Sequence, residues 1–137
     1  MATVQSDDQD FPGIWICRYW YPNTKHDNRE DVSEYRVRID HKGTGYVVHS
    51  ISGMGEAEGS HMEARFTVDG ALVTGTFMEG TSPNGDWIGM TYKGAFQLLL
   101  NDEHTRMDGQ WVAAGYNNGQ PKVFNGRWEI VLEDPKG

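Results

Sequence analysis

His61-Met62-Glu63-Ala64-Arg65-Phe66-Thr67-Val68-Asp69-Gly70-Ala71-Leu72-Val73-Thr74-Gly75-Thr76-Phe77-Met78-Glu79 decides the fold. In its first half Met62, Ala64, Phe66 and Val68 alternate with His61, Glu63, Arg65 and Thr67. A two-residue period with one apolar and one polar side is the mark of a half-buried strand. Asp69-Gly70 then reads as a two-residue hairpin signal, suited to a type I′ turn whose two central residues need positive φ. Beyond it the alternation resumes in either of two phases. Gly75, Phe77 and Glu79 face inward in one, and Leu72, Thr74, Thr76 and Met78 in the other.

Working outward, the same period recurs along the chain, and no stretch carries apolar residues at helical spacing. Eight strands are expected over 13–21, 32–40, 45–52, 61–69, 71–79, 87–100, 105–113 and 123–133. On the second, Tyr35, Val37 and Ile39 oppose Glu34, Arg36, Arg38 and Asp40; on the eighth, Phe124, Trp128, Ile130 and Leu132 oppose Asn125, Arg127 and Glu129. One apolar face per strand implies an antiparallel sheet around a single core, and closing that sheet removes its edges. The expected fold is all-β, an eight-stranded antiparallel up-and-down β-barrel. It would occupy 13–134 as one domain, with 1–12 a loosely attached segment. The connections 41–44, 69–70 and 101–104 are tight, whereas 22–31, 53–60, 80–86 and 114–122 are long. In an up-and-down barrel the long ones share one end, which is the expected mouth. Such a barrel is filled by side chains or holds one small ligand.

Four units, Gly13-Ile14-Trp15, Gly75-Thr76-Phe77, Gly109-Gln110-Trp111 and Gly126-Arg127-Trp128, put a glycine two residues before a large aromatic. Glycine within a strand permits close approach, here room for a neighbouring ring. Extending their phase gives an inward set of Tyr19, Tyr21, Tyr35, Glu79, Tyr92, Trp111 and Trp128. Trp111 and Trp128 are expected in one interior layer. His49 joins the inward set only in one reading of the third strand, both of whose faces are partly apolar. Tyr21, Glu79, Met90, Trp111 and Phe124 fall on the strand halves nearest the long loops. An apolar chamber with few inward polar groups is how small-molecule sites are built. Glu79 is expected at its rim, ringed by Tyr21, Tyr92 and Trp111, with tyrosine hydroxyls as its donors.

Composition narrows the partners. Twenty acidic against 12 basic residues leave a net charge of −8 on 137 residues. That balance argues against nucleic acid, which demands clustered Lys/Arg, and against anionic membrane surfaces. The opening Met1–Asp10 has neither a signal-peptide nor a membrane-span pattern, so the expected setting is cytoplasmic. A single cysteine, Cys17, excludes an internal disulfide; its place in a strand suggests an inert core thiol. No G-x-S-x-G is present, and Gly53-Met54-Gly55-Glu56-Ala57-Glu58-Gly59 lacks phosphate-loop spacing and carries two carboxylates. His26, Asp27 and Asp31 read as a solvated loop rather than a metal site. Neither a cofactor nor a metal is expected. Gly59-Ser60-His61-Met62 fits the strand pattern in phase.

From Gly75 to Glu129 the chain resembles the lipocalin-like, calycin-type domain at the C-terminus of many actinobacterial helix-turn-helix regulators. The matching residues are Gly75-Thr76-Phe77-Met78-Glu79, Thr81-Ser82-Pro83, Gly85, Gly89, Tyr92, Gly94, Gln97-Leu98-Leu99, Met107, Gly109, Trp111-Val112 and Gly126-Arg127-Trp128-Glu129. The resemblance implies a calycin-type barrel in a bacterial protein. No helix-turn-helix pattern precedes the barrel, so DNA binding is not carried over.

The leading expectation is a binding barrel that takes one largely apolar or aromatic small molecule through Tyr19, Tyr21, Tyr35, Glu79, Met90, Tyr92, Trp111, Phe124 and Trp128. The alternative is a cyclase or isomerase of secondary metabolism. It would hold a polyketide- or polyene-like substrate in a reactive fold, with Glu79 as the acid or base. A filled structural barrel is a third reading. Oligomeric state stays open, a homodimer included.

Overall fold

Eight strands follow one another in a computed structural model that describes residues 13–23, 27, 29–54, 57–82, 91–117 and 120–133. They are β1 (Gly13–Asn23), β2 (Arg29–Lys42), β3 (Gly45–Met54), β4 (His61–Asp69), β5 (Leu72–Gly80), β6 (Thr91–Leu100), β7 (Arg106–Asn117) and β8 (Gln120–Leu132). Each pairs antiparallel with the next, and β1 pairs with β8 through Trp15↔Leu132, Cys17↔Ile130 and Tyr19↔Trp128. The sheet is therefore a closed barrel, and closure leaves no unpaired edge to aggregate. The expected all-β up-and-down fold is what the chain adopts.

Alternation sets the core. Trp15, Cys17 and Tyr19 on β1, Tyr35, Val37 and Ile39 on β2, and Met62, Ala64 and Phe66 on β4 are buried. β5 takes the phase with Val73, Phe77 and Glu79 inward. Two of the glycines make room for rings on the neighbouring strand. Gly75 faces Phe96, whose ring lies 2.6 Å from where a Cβ would stand, and Gly94 faces Phe77 at the same distance. A side chain at either position would displace an aromatic from the core.

On the outer face Glu129 is nearly buried at the β1–β8–β7 seam. It accepts from Arg18 Nη1 at 3.0 Å, Arg106 Nη2 at 2.6 Å and Arg127 Nη2 at 3.3 Å. Arg127 also lies over the Trp20 ring, 4.2 Å from its centroid. One carboxylate thus ties three strands across the closure.

Several expectations are corrected. His49 is exposed, because Tyr46↔Phe66 and Val48↔Ala64 set the β3 phase. Further along β3 a bulge opposite Arg36 and Val37 leaves Ile51 as an extra residue between Ser50 and Ser52. The β4–β5 turn is Gly70-Ala71, one residue later than Asp69-Gly70, because Asp69 still pairs with Leu72. Gly70 has φ +63°, while Ala71 is absent from the positive-φ residues. That is the pattern of a type II′ rather than a type I′ turn. The expected long loop over 114–122 shrinks to 118–119, since Gly115↔Lys122 and Tyr116↔Pro121 extend the ladder. Trp111 pairs with Gly126 and Trp128 with Gly109, and both rings lie against Tyr19 and Phe77. The expectations for 1–12, His26, 87–90 and residue 134 lie outside the described residues.

Candidate functional site

Inward positions of β1, β2 and β5 converge on Glu79. In register it faces Met62 on β4 and Tyr92 on β6, one residue before β5 ends. Its side chain is only 7% exposed. Among the described residues it is the one charged side chain that is both buried and inward-facing. The Tyr35 hydroxyl, from a strand 44 residues away in sequence, donates to its Oε2. Burial pushes the Glu79 carboxyl above the usual glutamate range, and the nearby Tyr19 and Tyr35 hydroxyls and His61 pull it back. Its charge is felt in turn through the interior. Tyr35 and Tyr92 are both raised, first by their own burial and then by Glu79.

Tyr19 supplies the second polar group. It is 5% exposed, and Ser33 faces it across the β1–β2 ladder. Its hydroxyl is close enough to Glu79 and Ser33 to be influenced by both, yet neither meets it at hydrogen-bond geometry. It is a buried polar atom with no protein partner, which is rare in a folded interior and costly unless something fills the role.

The rest of the wall is aromatic. Tyr19 lies 5.3 Å from Trp128 and 6.1 Å from both Trp111 and Tyr21, between ring centroids. Phe77 meets Trp128 at 4.8 Å, near perpendicular. Both tryptophan N–H groups are committed elsewhere. Trp111 Nε1 donates to the Trp20 carbonyl at 2.9 Å, passing over Gly126, and Trp128 Nε1 donates to Cys17 Sγ at 2.9 Å. The two indoles therefore offer ring surface, and Glu79, Tyr35 and Tyr19 carry the polar chemistry. Burial pushes the Cys17 thiol up, so no thiolate nucleophile stands here.

One loop closes over the Tyr35 side. At Gly53 a Cβ would stand 1.9 Å from the Ala57 carbonyl, so only glycine lets residue 57 fold back onto β3. Ser60 N–H donates to that carbonyl at 2.9 Å, and Ser82 N–H donates to Ser60 Oγ at 2.8 Å. Ser60 lies beside the Tyr35 hydroxyl.

Of the residues singled out from sequence, Tyr19, Tyr35, Glu79, Trp111 and Trp128 are buried and inward. Tyr21 and Phe124 are half-buried against the same core, and Tyr92 is half-buried opposite Glu79. Met90 lies outside the described residues. The expected ring around Glu79 is partly corrected: Tyr35 and Tyr19 flank its carboxyl, whereas Trp111 directs its N–H away to β1. Sequence reasoning missed Ser33, Ser60 and Phe77 as members of this cluster. Ser33 was within reach, since it precedes Tyr35 by two and shares its face. Among the described residues no group of three or more His, Cys, Asp or Glu is placed to hold a metal, and no helix is long and apolar enough to cross a membrane. No family model matches the chain, and neither a curated protein nor a solved structure matches it.

Proposed function

We propose that this barrel binds one small, largely aromatic molecule inside its aromatic cluster, with a polar group of that molecule held at Glu79, Tyr35 and Tyr19. One observation carries the reading: the Tyr19 hydroxyl is buried without a protein partner beside a buried carboxylate. A polar interior that only served stability would be internally satisfied, because an unpaired buried hydroxyl costs about 1–3 kcal/mol. Phe77, Trp111 and Trp128 offer flat apolar contact around it, the usual composition of a small-molecule site.

The test is calorimetric titration of the full chain with 2-naphthylmethanol, a two-ring aromatic bearing one hydroxyl. Saturable binding with one site per chain is expected. Ala113 faces inward and is buried, while Val123 on β8 faces outward and is exposed. Ala113→Phe should abolish binding by filling the interior, and Val123→Phe should leave it intact. Binding that survives Ala113→Phe in a folded variant refutes an interior site.

A further inference from the structure

We infer that the group this site selects is a cation, so that the ligand is an aromatic or alkyl-aromatic amine held with its ammonium against Glu79. The inference rests on the binding reading above and deepens it.

Countercharge is the first argument. Several carboxylates elsewhere on the barrel are matched by arginine. Asp31 takes Arg29 Nε at 2.7 Å and Nη2 at 2.9 Å, Glu133 takes Arg36 Nε at 2.8 Å, and Glu129 takes three guanidinium groups. Glu79 accepts from the Tyr35 hydroxyl, and among the described residues no Arg or Lys is paired with it, although it is the carboxylate placed inside the barrel. A buried charge without an opposite charge is costly, and a cationic ligand supplies the missing partner.

The surroundings are the second argument. Tyr19 and Phe77 each lie within 6.4 Å of Trp111, Trp128 and one another, between ring centroids, and both indole N–H groups are already committed. Aromatic faces attract cations through their quadrupole, whereas an anionic ligand would meet repulsion from both the rings and Glu79. The net charge of −8 also favours the approach of cations over anions. The Tyr19 hydroxyl, with no protein partner, can accept an ammonium N–H while Glu79 takes another.

The titratable groups near enough to act on Glu79 or to feel it are Tyr19 and Cys17 on β1, Tyr35 on β2 and Tyr92 on β6, with the exposed His61 of β4 on the outer face. None is an arginine or a lysine. His61 stacks against Gly80, whose Cβ position lies 2.3 Å from the imidazole, so its ring covers the backbone next to Glu79.

The probe pair is 2-naphthylmethylammonium and 2-naphthylmethanol, equal in shape and different in charge, titrated into the full chain at pH 7.5. The amine is expected to bind at least about tenfold tighter, as a charge-assisted contact with cation–π support requires. Glu79→Gln should erase that preference and leave the alcohol nearly unchanged. In the unsubstituted chain, which needs no variant to fold, the preference should also fall as pH drops and Glu79 takes up its proton. Equal affinity for the two probes, or a preference that survives Glu79→Gln, overturns the amine assignment while leaving the binding reading standing. No binding of either probe overturns both.

Discussion

Glu79 is buried where, among the described residues, the Tyr35 hydroxyl donates to it and no Arg or Lys pairs with it, and that choice has a pH signature. Burial raises its native pKa above the unfolded value, so the folded state keeps this proton to higher pH than the unfolded chain does. The contribution to stability is therefore fully present below the ordinary glutamate range and is lost as pH rises through the native pKa. Glu79→Gln removes this dependence. Urea denaturation from pH 4 to pH 7 should show the variant gaining on the parent protein as pH rises; a difference that stays flat would mean a solvated carboxyl. Tyr35→Phe acts in the other direction. It withdraws the donor from Oε2 and should cost about 1.5–3 kcal/mol at pH 7, the range for hydrogen bonds to charged groups. The proximity of these two side chains was not legible in the sequence. Their shared inward phase was, but a contact across 44 residues depends on how the barrel closes.

Strand pairs show where local pattern suffices and where it does not. On β4 the alternation from His61 to Val68 is reproduced residue by residue in burial, because one face packs and the other is wet. β3 defeats the same reading. Tyr46-Val47-Val48 is apolar on both faces, and nothing local announces the bulge at Ile51 that resets its register against β2. β7 and β8 run further than expected for a related reason. Gly115, Tyr116 and Pro121 look like loop residues, yet pairing with the partner strand holds them in the ladder. Glycines differ in the same way. At Gly126 a Cβ would stand 2.1 Å from the Trp20 carbonyl and 2.7 Å from Trp111 Nε1, so Gly126→Ala attacks the β1–β8 closure and the bond passing over it. The expected cost is about 1–3 kcal/mol, with a displaced Trp111 indole resonance in the NMR spectrum. At Gly70 no atom lies within 4 Å, and only φ +63° is at stake. Gly70→Ala should therefore cost about 1–2 kcal/mol and leave that indole resonance in place. An unmoved indole in Gly126→Ala would refute the packing described for this seam.

Across the whole molecule the barrel separates two chemistries. The outer seam binds Glu129 with arginines, and the interior surrounds Glu79, the one buried inward carboxylate among the described residues, with hydroxyls and rings. Fold class was readable because a period of two, repeated in eight segments with one apolar face each, has few solutions other than a closed sheet. The location of a site was partly readable, since Glu79 is the one charged residue in the expected inward set, beside several tyrosines. Its composition was not, because Ser60 reaches it through a loop that Gly53 allows to fold back. The central claim is that ligand enters this interior and contacts Glu79 and the aromatic cluster. Chemical-shift mapping on isotope-labelled protein saturated with 2-naphthylmethylammonium tests it most directly. The account predicts shifts concentrated on Tyr19, Tyr35, Phe77, Glu79, Trp111 and Trp128, from five different strands and all facing inward, with Leu99, Val112 and Val123 on the outer face unmoved. Shifts concentrated on those outer residues, with the Trp111 and Trp128 indole signals unchanged, would contradict it.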